Sequence, residues 1–166
     1  RPAAGGAENA PRFPLFVDLT NSKIALVGGG RVAARRAKAL APFGCSLTVI
    51  APDISPEIEA LGARIVRRAF RAGDCAGFDL VLAATDDRET NHAVGEEARR
   101  LGIPANVCDA PGECGFFFPA VVRRDALVVG VTASGTNHAL AKAAADSLRT
   151  RMEEWIPKEV TADAAT

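Results

Sequence analysis

Short apolar runs alternate with stretches of helical period from residue 24 to about residue 107, and that rhythm predicts the fold before any motif is read. Ile24, Ala25, Leu26 and Val27 form the first run. SLTVI (46–50), ARIVR (63–67), FDLVLA (78–83) and IPANV (103–107) supply four more, each of strand length. Between the first two, Val32, Ala33, Ala37 and Leu40 recur at helical spacing. Further helices are predicted over 55–61 and 88–101. Gly44, Gly62 and Gly102 are placed to end them. Repetition of strand, loop and helix predicts an α/β fold built on a Rossmann-type parallel sheet.

After Pro111 the pattern changes. GFFFPAVV and ALVVGVT, separated by Arg123, Arg124 and Asp125, predict a β-hairpin with a short charged turn. Phe116, Phe117 and Phe118 are consecutive, so both faces of that strand are expected to be apolar and a partner subunit to cover one. A C-terminal helix is predicted over 138–155. Ahead of the first strand, FPLFVDL (13–19) reads as an edge strand or a plug under the sheet. The expected organisation is a disordered leader over 1–12, a Rossmann domain over 13–112, a dimerisation hairpin and helix over 113–156, and a loose tail over 157–166.

Composition narrows the class. Hydrophobic residues make up 48% of the 166, which suits a packed core rather than a disordered chain. Lys plus Arg and Asp plus Glu are each 20, so there is no basic field to favour a nucleic-acid partner. No apolar run approaches a membrane span of about 20 residues. Four cysteines, Cys45, Cys75, Cys108 and Cys114, stand without a C-x-x-C pair, as expected of reduced thiols in a cytoplasmic protein. With only His92 and His138 beside them, no metal-ligand cluster is legible, and any metal remains unknown.

Candidate chemistry gathers where strands end. Gly28, Gly30 and Ala33 fill the small-residue positions of the G-x-G-x-x-G/A pattern, between a strand and a helix as a dinucleotide site requires. Gly28 would permit the tight turn and Gly30 the approach of a pyrophosphate to the helix N-terminus. Asp53, two residues past the strand end at Ala51, suits either a ribose contact or the cap of the next helix. Neither Ala51 nor Pro52 supplies an arginine for a 2′-phosphate. Asp86 or Asp87 equally suits the cap of the 88–101 helix. Asp109, after the fifth strand, should project from the same sheet edge as the glycines. Its carboxylate would be able to take a proton while a hydride leaves the same substrate. An Asx turn before Pro111 is the alternative. Arg123 and Arg124 suit either a carboxylate clamp or a solvated turn. His138 suits a substrate contact beside the Ser134 loop or an ordinary surface histidine. His92 reads as structural.

The blocks FPLFVDL, ALVGGGRVAARRAKAL, VLAATDDRETN and NVCDAPGECGFFFPAVVRRDALVVGVTASGT together resemble the dehydrogenase module of siroheme synthases, over residues 13–152. The resemblance implies oxidation of precorrin-2 to sirohydrochlorin with NAD as hydride acceptor, and homodimers formed through the segment after the sheet. Some members also insert ferrous iron, so ferrous or cobaltous ion is a candidate second substrate. Carried over by motif, Arg31, Val32, Pro52 and Asp53 would touch NAD, with Thr85 and Asp86 bordering the same pocket. Asp109 matches the family's acid. Arg123, Arg124, Ser134 and His138 are the candidate substrate contacts. The chain departs from the family at Ala133, where bifunctional relatives carry a serine. Its residues do not include the methyltransferase domain of the long synthases, so either a stand-alone oxidant or a fragment of a longer protein is expected. The reading from another class is an NAD-sensing regulatory module, which would need the glycine loop but not Asp109.

Overall fold

The computed structural model describes residues 11–134 and 137–155, with the side chains of 153 and 155 left aside. The predicted leader over 1–12 and tail over 157–166 lie almost wholly outside the described residues. Two compact units are present: residues 17–118, and a second unit in which the segment before residue 17 joins residues 119 onward.

The first unit is a five-stranded parallel sheet in the order β3-β2-β1-β4-β5. Its strands are β1 (Lys23–Val27), β2 (Ser46–Ile50), β3 (Arg64–Val66), β4 (Leu80–Ala83) and β5 (Ala105–Val107). Helices α1 (Arg31–Leu40), α2 (Pro56–Glu59) and α3 (Arg88–Arg100) make the crossovers. The unbroken apolar run of β1 follows from burial on both faces. Side chains alternate across a strand, so Ile24 and Leu26 join Ala33, Ala37 and Leu40 of α1, while Ala25 and Val27 join Val94 and Ala98 of α3. Burying these side chains is what holds both helix layers to the sheet. Truncating Leu26 to alanine at this fully buried site would cost about 3 kcal/mol.

Several expectations need correction. The 55–61 helix is only one turn, Pro56–Glu59, and begins on Ser55 rather than Asp53. Residues 13–19 form neither an edge strand nor a plug. Phe13, Leu15, Phe16 and Val17 are exposed, and only Leu19 packs against the sheet core. Phe116–Phe118 are not a strand either. Phe116 and Phe118 fold back on the sheet core, and the Arg36 guanidinium lies 4.2 Å from the centre of the Phe118 ring. The apolar character that suggested cover by a partner is therefore partly satisfied within this unit.

In the second unit β6 (Ala120–Arg124) and β7 (Leu127–Val131) pair antiparallel, and α4 (His138–Trp155) packs on them through Ala145, Leu148 and Met152. Arg123 and Arg124 are the last two residues of β6. The turn itself is Asp125–Ala126, with Asp125 at φ 51°.

Candidate functional site

Parallel strands share one carboxyl edge, and three loops meet there through backbone bonds. The Gly28 N–H donates to the Ile50 carbonyl at 3.0 Å, and the Ala84 N–H to the Val27 carbonyl at 2.8 Å. The Cys108 N–H donates to the Ala83 carbonyl at 3.0 Å. The Gly28–Gly30 loop, the Ala84–Asp87 loop and the Cys108–Asp109 turn are thus laced together.

The three glycines do different work. Gly28 has φ 125°, and a Cβ there would stand 2.3 Å from the Ala84 carbonyl oxygen. At Gly29, which the motif leaves unassigned, a Cβ would stand 1.9 Å from the Asp53 carbonyl oxygen. The Ser55 N–H also donates to the Gly29 carbonyl at 2.9 Å, latching the loop after β2 onto the glycine turn. At Gly30 a Cβ would meet nothing within 4 Å, so this residue opens onto free space at the start of α1. Gly30 caps α1 without any side-chain bond, and the first turn holds no acidic residue. A helix N-terminus left in this state offers N–H groups and positive dipole to an anion. A dinucleotide pyrophosphate fits it, with the Arg31 and Val32 backbone at the opening.

Pro52 and Asp53 are exposed beside this turn, at the place where a ribose would lie. Beyond them, two arginines that follow β3 are neutralised by acids. Arg67 pairs with Glu59, and Arg68 grips both oxygens of Asp74 at 2.6 and 2.7 Å. That grip, chiefly a side-chain hydrogen bond, holds the Asp74 pKa below its ordinary value.

Thr85 donates its hydroxyl to the Asn91 Oδ1 at 2.7 Å, and the Asn91 amide returns a bond to the Thr85 carbonyl at 3.0 Å. Asn91 is fully buried, and sequence reasoning passed over it. Asp87, not Asp86, caps α3, accepting from the Thr90 N–H at 3.0 Å and the Glu89 N–H at 3.4 Å. Asp86 stays exposed at the edge.

Asp109 stands two residues beyond β5, exposed at this edge, with its Oδ1 3.5 Å from the Arg88 Nη1. Arg88 also bonds Glu113, which the His92 Nδ1 meets at 3.2 Å, so His92 joins the same side-chain group. Glu113 and Arg88 carried no single-sequence signal beyond their charge. Burial alone would raise the Glu113 pKa, but bonding from His92 and the charges of Arg88 and His92 hold it below the ordinary value.

The remaining candidates lie in the second unit. Arg124 donates to the Met152 carbonyl and so ties β6 to α4. Arg123 is exposed, the Ser134 hydroxyl accepts from the Arg12 N–H at 3.2 Å, and His138 is exposed at the start of α4. Among the described residues no three His, Cys, Asp or Glu side chains come together as metal ligands. No described helix is long and apolar enough to cross a membrane. None of the four cysteines is in a disulfide, and burial, with Glu97 alongside, pushes Cys75 up to about 12. An open cleft of about 820 Å³ lies at the opposite, amino edge of the sheet, lined by Lys23, Ser46 and Arg64 among others. None of the candidate residues lines it, so volume here does not mark the chemistry.

A 3-2-1-4-5 parallel sheet with an uncapped glycine-led helix defines a Rossmann-type dinucleotide-binding protein. Comparison with known proteins agrees: the family described as "Putative NAD(P)-binding" matches residues 15–120, and the chain belongs to that NAD(P)-binding family. A "Probable multifunctional siroheme biosynthesis protein HemA" from Ruminiclostridium josui is 41% identical over 143 residues, covering 83% of this chain and 28% of that protein. A siroheme synthase from Pseudomonas putida strain F1 is 40% identical over 149 residues, covering 87% of this chain and 31% of its own. The chain thus spans less than a third of the length of these relatives. Among solved structures, SirC, a precorrin-2 dehydrogenase, superposes with a TM-score of 0.70 at 25% identity, over 90% of this chain and 74% of that one.

Proposed function

We propose that the chain oxidises precorrin-2 to sirohydrochlorin with NAD as acceptor. The observation that carries this reading is the Asp109 carboxylate, at the carboxyl edge that also holds the uncapped α1 N-terminus. The likeness to a precorrin-2 dehydrogenase over 90% of the chain supplies the substrate. Two electrons and a proton leave the substrate as a hydride, which NAD is able to accept, and Asp109 takes a second proton. Gly28 allows the turn, while Gly30, Arg31 and Val32 hold the pyrophosphate through backbone N–H groups. Asp53 and Pro52 meet the ribose side, and Thr85 and Asp86 border the ring side. For the substrate's carboxylates, Arg123, Arg124, Ser134 and His138 are the candidates, and the Arg124 guanidinium also donates to the Met152 carbonyl of α4.

The same proposal assigns residues 13–112 to cofactor binding and the hairpin with α4 to a homodimer contact. Leu127 and Leu140 leave apolar surface there, 44% and 60% exposed. Insertion of ferrous or cobaltous ion is a second activity to be tested with the same protein, Asp109 taking the two pyrrole protons in turn.

The test is anaerobic incubation with precorrin-2 and NAD, following NADH by its absorbance. Wild type should yield NADH and Asp109→Asn nearly none, with NAD affinity kept. A wild-type protein that binds NAD and yields no NADH would return the sensor reading.

A further inference from the structure

Arg88 opens α3 and His92 follows one turn later on the same face, because residues four apart stack along a helix. One turn further, Gly95 packs close against β5. A Cβ there would stand 2.9 Å from the Val107 Cγ2 and 3.9 Å from the Glu113 Oε2. This stripe faces the short turn after β5 that carries both Asp109 and Glu113. Cys114 braces that turn from within. Its sulfur receives the Val107 N–H at 3.2 Å and donates to the Val107 and Ala110 carbonyls at 3.2 and 3.6 Å. The Glu113 N–H closes the turn on the Ala110 carbonyl at 3.0 Å.

Across the gap one guanidinium spans two carboxylates. Nη1 of Arg88 reaches Asp109 and Nη2 reaches the Glu113 Oε1, the oxygen that His92 also meets. Among the described residues Arg88 is the one ion-pair partner of Asp109. Exposed pairs of this kind add little to stability, so orientation is the property they can supply. A planar fork with fixed N–H directions bridges two acceptors in a way that a single ammonium cannot.

We propose that Arg88, anchored by Glu113 and His92, is a positioning residue that aims the Asp109 carboxylate at the substrate proton it removes. The inference rests on the reading that Asp109 is the proton acceptor in the dehydrogenation. With Oδ1 held by Arg88, Oδ2 is the oxygen left to take the proton, and reacting groups misplaced by about 1 Å lose rate steeply.

Steady-state kinetics of the full chain with precorrin-2 and NAD, joined to side-chain 15N NMR of the protein alone, tests this. In Arg88→Gln, kcat should fall about tenfold while KM, NAD affinity and Tm stay put. Arg88→Lys keeps the charge but not the fork, so it should leave kcat low. Glu113→Gln should lose less than Arg88→Gln, and the double variant should be no worse than Arg88→Gln alone, as members of one network are not additive. In the NMR experiment, cooled wild type should show separate Arg88 Nη signals that merge in Glu113→Gln. An active wild type whose Arg88→Gln variant keeps kcat, or loses through KM or NAD affinity instead, overturns the inference and leaves the dehydrogenase reading standing. Full rescue by lysine, or merged Nη signals in wild type, overturns it as well. A wild type that makes no NADH strikes down both.

Discussion

Two helices begin at the same edge of the same sheet, and they begin differently. α3 starts on Asp87, whose carboxylate satisfies the Glu89 and Thr90 N–H groups, and Glu89 adds a second negative charge to the first turn. α1 starts on Gly30, with no side-chain cap, no acid in its first turn and open space where a Cβ would be. One helix is closed by its own sequence, and the other is left for a guest anion. The contrast marks α1, without reference to any motif, as the helix start open to an anion, and it places Asp109 beside the closed helix rather than the open one.

The comparison can be broken most severely at Gly28. Gly28→Ala puts a methyl group 2.3 Å from the Ala84 carbonyl at a φ of 125°, and should cost about 3 kcal/mol or more, seen in chemical denaturation. Next comes Gly30→Asp, which gives α1 the kind of cap that α3 already has. The protein should remain folded, yet titration calorimetry should show NAD affinity falling about a hundredfold, since a carboxylate now holds the N–H groups the pyrophosphate needs. Unchanged affinity would mean the cofactor does not use this helix. Asp87→Ala opens α3 instead. It should lower Tm by a few degrees and leave NAD affinity alone, because that N-terminus is not the anion site. The smallest effect is in acid. Thr90 bonds hold the Asp87 pKa below its ordinary value, so the cap contributes above about pH 4 and is lost as pH falls through the lowered value. Wild type and Asp87→Ala should therefore converge in Tm at the acid end of a pH series.

Much of this frame was legible in the sequence. The predicted 46–50 strand coincides with β2, and the helix over 138–155 with α4, because alternation and helical period act over neighbouring residues. Gly28 and Gly30 were assigned by spacing alone. What escaped was long-range. Nothing local says that Arg88 and Asp109, 21 positions apart, share an ion pair, or that Glu97 accepts from the Gly73 and Cys75 N–H groups. In sequence alone the shared face of Arg88 and His92, without a visible partner, reads as a solvated stripe. Phe116–Phe118 misled for a related reason. Three aromatics in a row resemble a strand, and only the tertiary fold shows that Phe116 and Phe118 pack on the sheet core, with Phe118 beside Arg36. The ambiguity at Asp53 turned on one residue, since Ser55 begins the helix and leaves the aspartate side chain in solvent.

The latch between Gly29 and the Asp53–Ser55 backbone has a practical corollary for redesign. Because the main chain at 52–55 is fastened to the glycine turn, its shape is set before any cofactor arrives, and little ordering entropy is left to lose on binding. The outward side chains of Pro52 and Asp53 are then interchangeable parts on a rigid mount. An engineer seeking acceptance of a 2′-phosphorylated cofactor can exchange those two residues for basic ones and leave the loop length, and Gly29 above all, untouched.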